Sequence, residues 1–191
     1  MQKHPDGLNL TTRMLTAAGL VPPLRVLDMG AGDGETVAEL NALGFTAVGI
    51  DRRPAEGVTA GDMTALPFSD GSFDAVISEC SFSVCGNAEG AFQEARRVLR
   101  PGGTLLLSDV YFKADAAPGL SLPCPATEEG WRQTASGFRR LIWQDCSEEW
   151  LQFIVHCIWN GIELGDCGYY RQAAKARAGY FLSVWHREDG E

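Results

Sequence analysis

The stretch R-V-L-D-M-G-A-G-D-G-E-T, Arg25 to Thr36, decides how the rest of the chain is read. A short apolar run, Val26 and Leu27, ends in the acid Asp28. Glycines follow at alternate positions, Gly30, Gly32 and Gly34. A helical pattern comes next, with Val37, Leu40 and Leu43 apolar and Glu35 and Glu39 acidic near its start. That order predicts a buried strand, a tight glycine loop and a helix start. Glycine is required where the backbone takes a positive φ or comes within contact distance of a ligand. A loop of free N–H groups at a helix start receives an anion or a polar ligand group.

Two ligand classes suit such a loop: a nucleotide diphosphate, and the amino-acid end of S-adenosylmethionine. The dinucleotide fingerprint G-x-G-x-x-G places its third glycine one residue later than this loop does. Asp28 would repel a pyrophosphate but would pair with an ammonium. The loop, D-x-G-x-G-x-G, resembles motif I of the class I S-adenosylmethionine-dependent methyltransferases. Taken alone it also fits an ordinary strand-to-helix turn capped by Asp28, so the downstream stretches decide.

Three of them bear on it. The run Thr46–Asp51 reads as a core strand closed by an acid, 17 residues after Gly34. An acid at the tip of the second strand of an α/β nucleotide fold accepts the ribose hydroxyls, and Arg52 beside it has a stem and guanidinium to lay on an adenine face. The stretch G-D-M-T-A-L-P-F-S-D-G-S-F-D, from Gly61, resembles the adenine-binding loop of the same family. That resemblance implies an Asp62 carboxylate accepting from the adenine amine and a Met63 backbone N–H reaching the ring. Phe73 to Glu79 resembles the family's F-D-x-V strand, and R-V-L-R-P-G-G-T-L-L-L-S-D-V-Y its later helix, turn and strand, with Thr104 to Val110 as the strand. The signatures together cover roughly residues 25–110.

The resemblance implies a doubly wound α/β fold. Its sheet is seven-stranded and mostly parallel, with an antiparallel last strand and a helical insertion before that strand. It implies one domain over residues 1–191, with a core at 24–111 and a lid-like insertion at about 147–177. It implies S-adenosylmethionine as cofactor, held by Asp28, Gly30, Ala31, Gly32, Asp51, Arg52, Asp62, Met63 and Glu79. The expected reaction is transfer of the sulfonium methyl to a small-molecule acceptor, with no metal. Directly after Glu79 the chain departs from the family: C-S-F-S-V-C-G-N stands where many small-molecule enzymes carry an aromatic or histidine pair. Cys80, Ser83 and Trp143 are the candidate acceptor residues. Cys80 has three readings: a packing residue, a ligand to a soft acceptor such as a trivalent metalloid with Cys85 and a third thiol, or a redox gate. No general base stands out. Two other functions stay open, a non-catalytic S-adenosylmethionine-binding protein and a dinucleotide-linked reductase.

Composition narrows the partners. The chain has 191 residues, a net charge of −9 and 45% hydrophobic residues, which suits a globular domain with a real core. Nucleic-acid binding needs clustered Lys and Arg; only Arg96, Arg97 and Arg100 cluster, at a helix end whose dipole they complement. No apolar run approaches the roughly 18 residues of a membrane span, and Met1–Gly7 lacks a signal-peptide form. The expectation is a cytoplasmic protein that binds neither nucleic acid nor membrane. Six cysteines, Cys80, Cys85, Cys124, Cys146, Cys157 and Cys167, match no common zinc spacing and read as thiols.

The remaining elements are set by periodicity. A helix is expected over about Thr11–Gly19, an irregular stretch over 52–60, and a helix from an Asn87 cap to about Leu99. A loop over 112–126 precedes a helix at about Thr127–Ser136 and a strand at Arg139–Asp145. An amphipathic helix capped by Ser147 is expected to bury Trp150, Leu151, Ile154, Val155, Ile158 and Trp159. A loop or broken helix at 161–178 leads into a last strand, Gly179–His186.

Overall fold

The structure, a computed structural model, describes residues 5–113, 127–161, 173 and 176–188. Its elements in chain order are α1 (Leu8–Ala18), β1 (Arg25–Met29), α2 (Glu35–Ala42), β2 (Thr46–Asp51), β3 (Thr59–Ala60) and β4 (Phe73–Glu79). They continue with α3 (Ala88–Val98), β5 (Leu99–Tyr111), α4 (Glu128–Thr134), β6 (Phe138–Asp145), α5 (Ser147–Trp159) and β7 (Gly179–Arg187). The strands form one sheet in the order β3-β2-β1-β4-β5-β7-β6. β1 to β5 pair in parallel, and β7 runs antiparallel to both β5 and β6. The doubly wound α/β architecture with an antiparallel last strand is therefore what the chain adopts.

Side-chain alternation along the strands builds two cores. Val26, Ala75, Ile77, Leu106, Val110, Tyr180 and Leu182 face a layer made with α1, α2 and α5. Leu27, Met29, Val76, Leu105, Leu107, Phe181 and Trp185 face the layer of α3 and α4. Period-2 alternation with apolar residues in both phases is what a parallel sheet covered on both sides requires. The second core is aromatic. Phe92 meets Phe82, Trp131, Phe138 and Trp185 edge-on, with ring centroids 5.0, 6.3, 6.1 and 6.2 Å away.

Local chemistry sets the helix ends. The Asn87 side chain accepts the Gly90 N–H at 3.0 Å to start α3, and Thr127 does the same for Gly130 at 3.0 Å in α4. Gly19, left-handed at φ 63°, ends α1.

The structure differs from the sequence reading at several places. α1 begins at Leu8, one turn before Thr11. The irregular stretch 52–60 contains a two-residue strand, β3, too short for alternation to mark. The P-G-G turn lies inside β5 as a break in pairing: Phe73 pairs with Leu99 and Ala75 with Thr104, leaving Arg100–Gly103 out of register. Ser147 is not the cap of α5. The Asp145 carboxylate accepts the Ser147 N–H at 2.9 Å and its hydroxyl, and so turns the chain from β6 into the helix.

The apolar face of α5 is also shifted. Trp150, Phe153, Ile154 and Cys157 are buried, while Leu151, Val155, Ile158 and Trp159 are exposed. The two sets lie on different faces of the same helix, and only the first meets β7 and α1. Residues 114–126 and 162–172, with Cys124 and Cys167, lie outside the described residues, as does most of the loop expected at 161–178.

Phe92→Ala removes the hub of the aromatic core and is expected to destabilise by about 3–5 kcal/mol. Trp159→Ser, at 87% exposure, is expected to change stability by less than about 0.5 kcal/mol. Urea denaturation midpoints of the two variants test the contrast.

Candidate functional site

Parallel pairing brings several strand ends to one edge. Asp28 pairs with Gly49 of β2 and Ile77 of β4, so Asp51 and Glu79 lie just beyond it on either side. Asp28 is 3% exposed. Burial, then Glu79, then Asp51, push its carboxyl well above the usual carboxylate range. Two neighbouring helices hold Glu79: the Thr11 hydroxyl of α1 donates to its oxygens at 3.1 and 3.2 Å, and the Thr36 hydroxyl of α2 at 3.0 Å. Three acids at one edge, one of them desolvated, form a site that favours a cation or a set of hydrogen-bond donors.

The glycine loop turns its donors inward. The N–H groups of Gly30 and Ala31 both go to the Ile50 carbonyl, at 2.8 and 3.0 Å. Gly32 N–H goes to Asp51 Oδ2 at 3.0 Å, and Gly34 N–H to the Ala31 carbonyl at 2.8 Å. The sequence reading of a loop of free N–H groups is corrected here: these four amides are committed within the protein. Gly30 has φ 90°, and a Cβ on it would sit 2.2 Å from Ser81 Oγ. The loop therefore touches the turn after β4, and glycine is needed there for space as well as for φ.

A cleft of about 470 Å³ opens beside the loop, lined by Gly30, Asp51, Arg52, Met63, Ser81 and Val84 among others. Arg52 reaches across it and donates to the Cys85 carbonyl at 2.7 Å, so its guanidinium is tethered to the turn after β4. The Asp62 Oδ1 accepts the Thr64 amide and hydroxyl, both at 2.8 Å. Those two bonds hold its carboxyl below the usual range, so it is an ionised acceptor. Met63 is buried against the same wall.

The candidate acceptor residues separate. Cys80, half-buried, lies on the α1 and α5 side, with its Sγ 3.0 Å from the Tyr180 hydroxyl. Ser83 is fully buried on the other side, where its N–H donates to Asp109 Oδ2 at 2.9 Å. Trp143 also packs on that other side, stacked on Phe181 at 4.0 Å and edge-on to Tyr111 at 5.5 Å. Cys80 is thus not brought together with Ser83 or Trp143. Cys85 belongs to the α3-side core, opposite Cys80. Among the described residues no group of three or more His, Cys, Asp or Glu is placed to hold a metal ion.

α5 lies beside the Cys80 end of the sheet. Trp150 stacks on Tyr180, with centroids 5.8 Å apart and planes 5° apart. Arg13 of α1 donates to Glu149 at 2.7 Å and to Asp6 at 3.3 Å, tying the two helices together. Residues that the sequence reading missed here are Thr11, Thr36, Ser81, Asp109 and Tyr180. Thr36, directly after the loop, had a positional signal. Nothing in the local pattern marked the others, because their roles come from distant pairings.

Fold and site together define a nucleotide-type crevice at the tips of a parallel sheet, with acids rather than phosphate-binding amides around it. Residues 27–107 match the model of the methyltransferase domain family. Over that stretch the chain is similar to the methyltransferase domain. It is 40% identical over 106 residues to a demethylmenaquinone methyltransferase of Beutenbergia cavernae, a match covering 50% of this chain and 44% of that protein. The chain spans less than half the length of the first curated relatives it matches.

Two solved structures share the fold. Phosphoethanolamine N-methyltransferase 2 of Haemonchus contortus, in complex with phosphomonomethylethanolamine and S-adenosylhomocysteine, superposes with a TM-score of 0.75 at 17% identity, over 97% of this chain and 54% of that one. The [4+2]-cyclase SpnF superposes with a TM-score of 0.74 at 20% identity, over 95% and 82%.

Gly30→Ala places a Cβ against the Ser81 side chain at positive φ and is expected to cost about 2–4 kcal/mol. Gly32→Ala, with open space around its Cβ, is expected to cost only the left-handed strain, about 1–2 kcal/mol. Denaturant titration of the two variants side by side checks the difference.

Proposed function

We propose that this chain transfers the methyl group of S-adenosylmethionine to a small-molecule acceptor. The observation that carries the reading is the pairing of two facts at one sheet edge. Asp28, Asp51 and Glu79 converge there, and the loop amides are already committed within the protein, Gly30 and Ala31 to the Ile50 carbonyl, Gly34 to the Ala31 carbonyl and Gly32 to Asp51 itself. A pyrophosphate would meet carboxylates where it needs donors, so the dinucleotide-linked reductase finds no support in this geometry. A ligand carrying an ammonium, two ribose hydroxyls and an adenine amine offers donors to each acid in turn.

The residues divide that ligand between them. Asp28 and Glu79 suit the ammonium, Asp51 the ribose hydroxyls, and Asp62 the adenine amine, with the Met63 N–H directed to the ring. Gly30, Ala31 and Gly32 form the floor, and Arg52 closes the side through its bond to Cys85. When bound, the cofactor supplies a methyl group already activated by its sulfonium. The chain's own task is then alignment and exclusion of water, both of which a preformed cleft serves. We read Cys80, directly after β4, as a residue at the acceptor's approach, which α5 with its Trp150–Tyr180 stack would cover. The relatives' names point to acceptors of different chemistry, so the acceptor is proposed only as a small molecule.

We read residues 1–191 as one methyltransferase domain, with a core at 24–111 and an insertion at about 147–177. The continuous seven-stranded sheet supports this reading. A cytoplasmic setting is supported by the free thiols Cys80, Cys85, Cys146 and Cys157. No helix among the described residues is long and apolar enough to cross a membrane. A second reading is cofactor binding without methyl transfer. Transfer of label from methyl-labelled S-adenosylmethionine to an acceptor separates the two.

S-adenosylhomocysteine is expected to raise the melting temperature while NADH does not, since a ligand that binds only the folded state stabilises it. NADH binding more tightly than S-adenosylhomocysteine in a calorimetric titration overturns the proposal. Asp51→Ala is expected to weaken S-adenosylhomocysteine binding about 10- to 100-fold, from the loss of charge-assisted bonds worth ~1.5–3 kcal/mol each, and Asp62→Ala to weaken it less.

The raised Asp28 carboxyl gives a pH test with a definite sign. The ammonium favours ionised Asp28, so binding lowers its pKa and releases a proton. Affinity is therefore expected to rise with pH up to the raised pKa of Asp28 and to level off above it. Calorimetry in two buffers of different ionisation enthalpy measures the released proton, and Asp28→Asn is expected to abolish that release.

A further inference from the structure

The turn after β4, residues 80–84, lies between the cofactor cleft and the sheet edge, and two adjacent residues of β5 pin it from opposite faces. On the α5 side, the Ser108 carbonyl accepts the Cys80 N–H at 2.9 Å. The Tyr180 hydroxyl donates to Ser108 Oγ at 3.0 Å, which leaves its oxygen to accept the Cys80 thiol at 3.0 Å. On the α3 side, Asp109 accepts the Ser83 N–H at 2.9 Å and the Val110 N–H at 2.8 Å.

Between these pins the backbone is strained. Cys80 has φ 55°, the left-handed region that a residue with a Cβ adopts at a cost. Such a conformation persists only where its surroundings over-determine it. The Tyr180 ring cannot swing away, because it is fully buried and stacked under Trp150. The next residue, Ser81, is the one whose Oγ lies within 2.2 Å of a Cβ on Gly30, and Ser81 lines the cleft.

We propose that Tyr180 is a positioning residue: through the Cys80 thiol it holds the left-handed turn that sets Ser81 against Gly30 and completes the cofactor cleft, with Asp109 fixing the other end of the turn at Ser83. The proposal rests on the cofactor reading above for its consequence, but the clamp itself can be measured without ligand. It gives Cys80 a part that needs no metal and no redox chemistry. It also links the α5 insertion, through Trp150 and Tyr180, to a wall of the cofactor cleft.

The test compares Cys80→Gly with Cys80→Ala. Both lack sulfur, so any role of the thiol as a ligand or nucleophile affects them equally. Only glycine accepts φ 55° without strain. Without ligand, Cys80→Gly is expected to melt about 3–6 °C above Cys80→Ala. In titrations run where all variants are folded by circular dichroism, Cys80→Gly is expected to bind S-adenosylhomocysteine about 5-fold or more tightly than Cys80→Ala.

Tyr180→Phe removes the hydroxyl alone. It is expected to weaken S-adenosylhomocysteine binding about 5-fold in the wild-type background and by less than about 2-fold in the Cys80→Gly background. Asp109→Leu, which removes both acceptor oxygens at similar size, is expected to weaken binding in both backgrounds, because it releases the Ser83 end, which glycine at position 80 does not relieve. Coincident melting curves for Cys80→Gly and Cys80→Ala overturn the clamp, as does an equal loss from Tyr180→Phe in both backgrounds. If the wild-type protein fails to take S-adenosylhomocysteine, the cofactor reading falls and the clamp is tested by melting alone: Tyr180→Phe is expected to lower the melting temperature more in the wild-type background than in the Cys80→Gly background, and equal shifts overturn it.

Discussion

The carbonyl oxygen of Ile50 accepts two amides, those of Gly30 and Ala31, and the rest of the site depends on that bifurcated acceptance. It ties the glycine loop back onto β2. With Gly32 bonded to Asp51 and Gly34 to Ala31, the loop keeps a shape that in other α/β proteins would cradle phosphate, while its donors point inward. The electrostatics at the crevice then belong to side chains. Parallel pairing of β1 with β2 and β4 carries Asp28, Asp51 and Glu79 to one edge, where burial and mutual repulsion oppose the ionisation of Asp28. The fold holds these acids together against their own repulsion.

Holding those acids takes structure on both faces. Thr11 and Thr36 come from helices on the same side of the sheet and supply hydroxyl donors to Glu79. Asp109, on the opposite side, is fully buried, and burial pushes its carboxyl to about 6 despite the amides it accepts. These two carboxylates have different partners: Glu79 accepts from helix hydroxyls, whereas Asp109 accepts from the backbone of a turn. The aromatic packing around Phe92 and Phe181 lies on the Asp109 side of the sheet.

The parts of this arrangement that were legible in the sequence are those encoded locally. β2 and β4 have the bounds expected from their apolar runs. The Asn87 and Thr127 caps were readable because a cap needs only a side chain and an amide three residues away. The acids at strand ends came with the strands. What escaped is what depends on partners far along the chain. The buried face of α5 was misjudged because the helix is apolar on more than one side. Periodicity could not choose between Phe153 and Leu151 without knowing where α1 and β7 lie. The separation of Cys80 from Ser83 and Trp143 is set by the turn after β4 and by strand alternation across the β6–β7 pairing. Tyr180 had no motif at all; its register opposite Val110 brings it next to Ser108.

The placement of β7 between β5 and β6 has a consequence for the order in which the molecule can be completed during synthesis. Every pairing from β1 through β5 joins segments already made by residue 111, so the parallel part of the sheet can assemble while the ribosome is still adding α5. β6 has no such opportunity. Among the described residues its ladder is with β7 alone, and β5 likewise keeps one open edge until the stretch ending at Arg187 arrives. An unpaired strand edge is a template for wrong partners. The nascent chain therefore carries two such edges for the time it takes to translate α5 and the segment between it and β7. The last strand of the sheet to be made is the one that closes both at once.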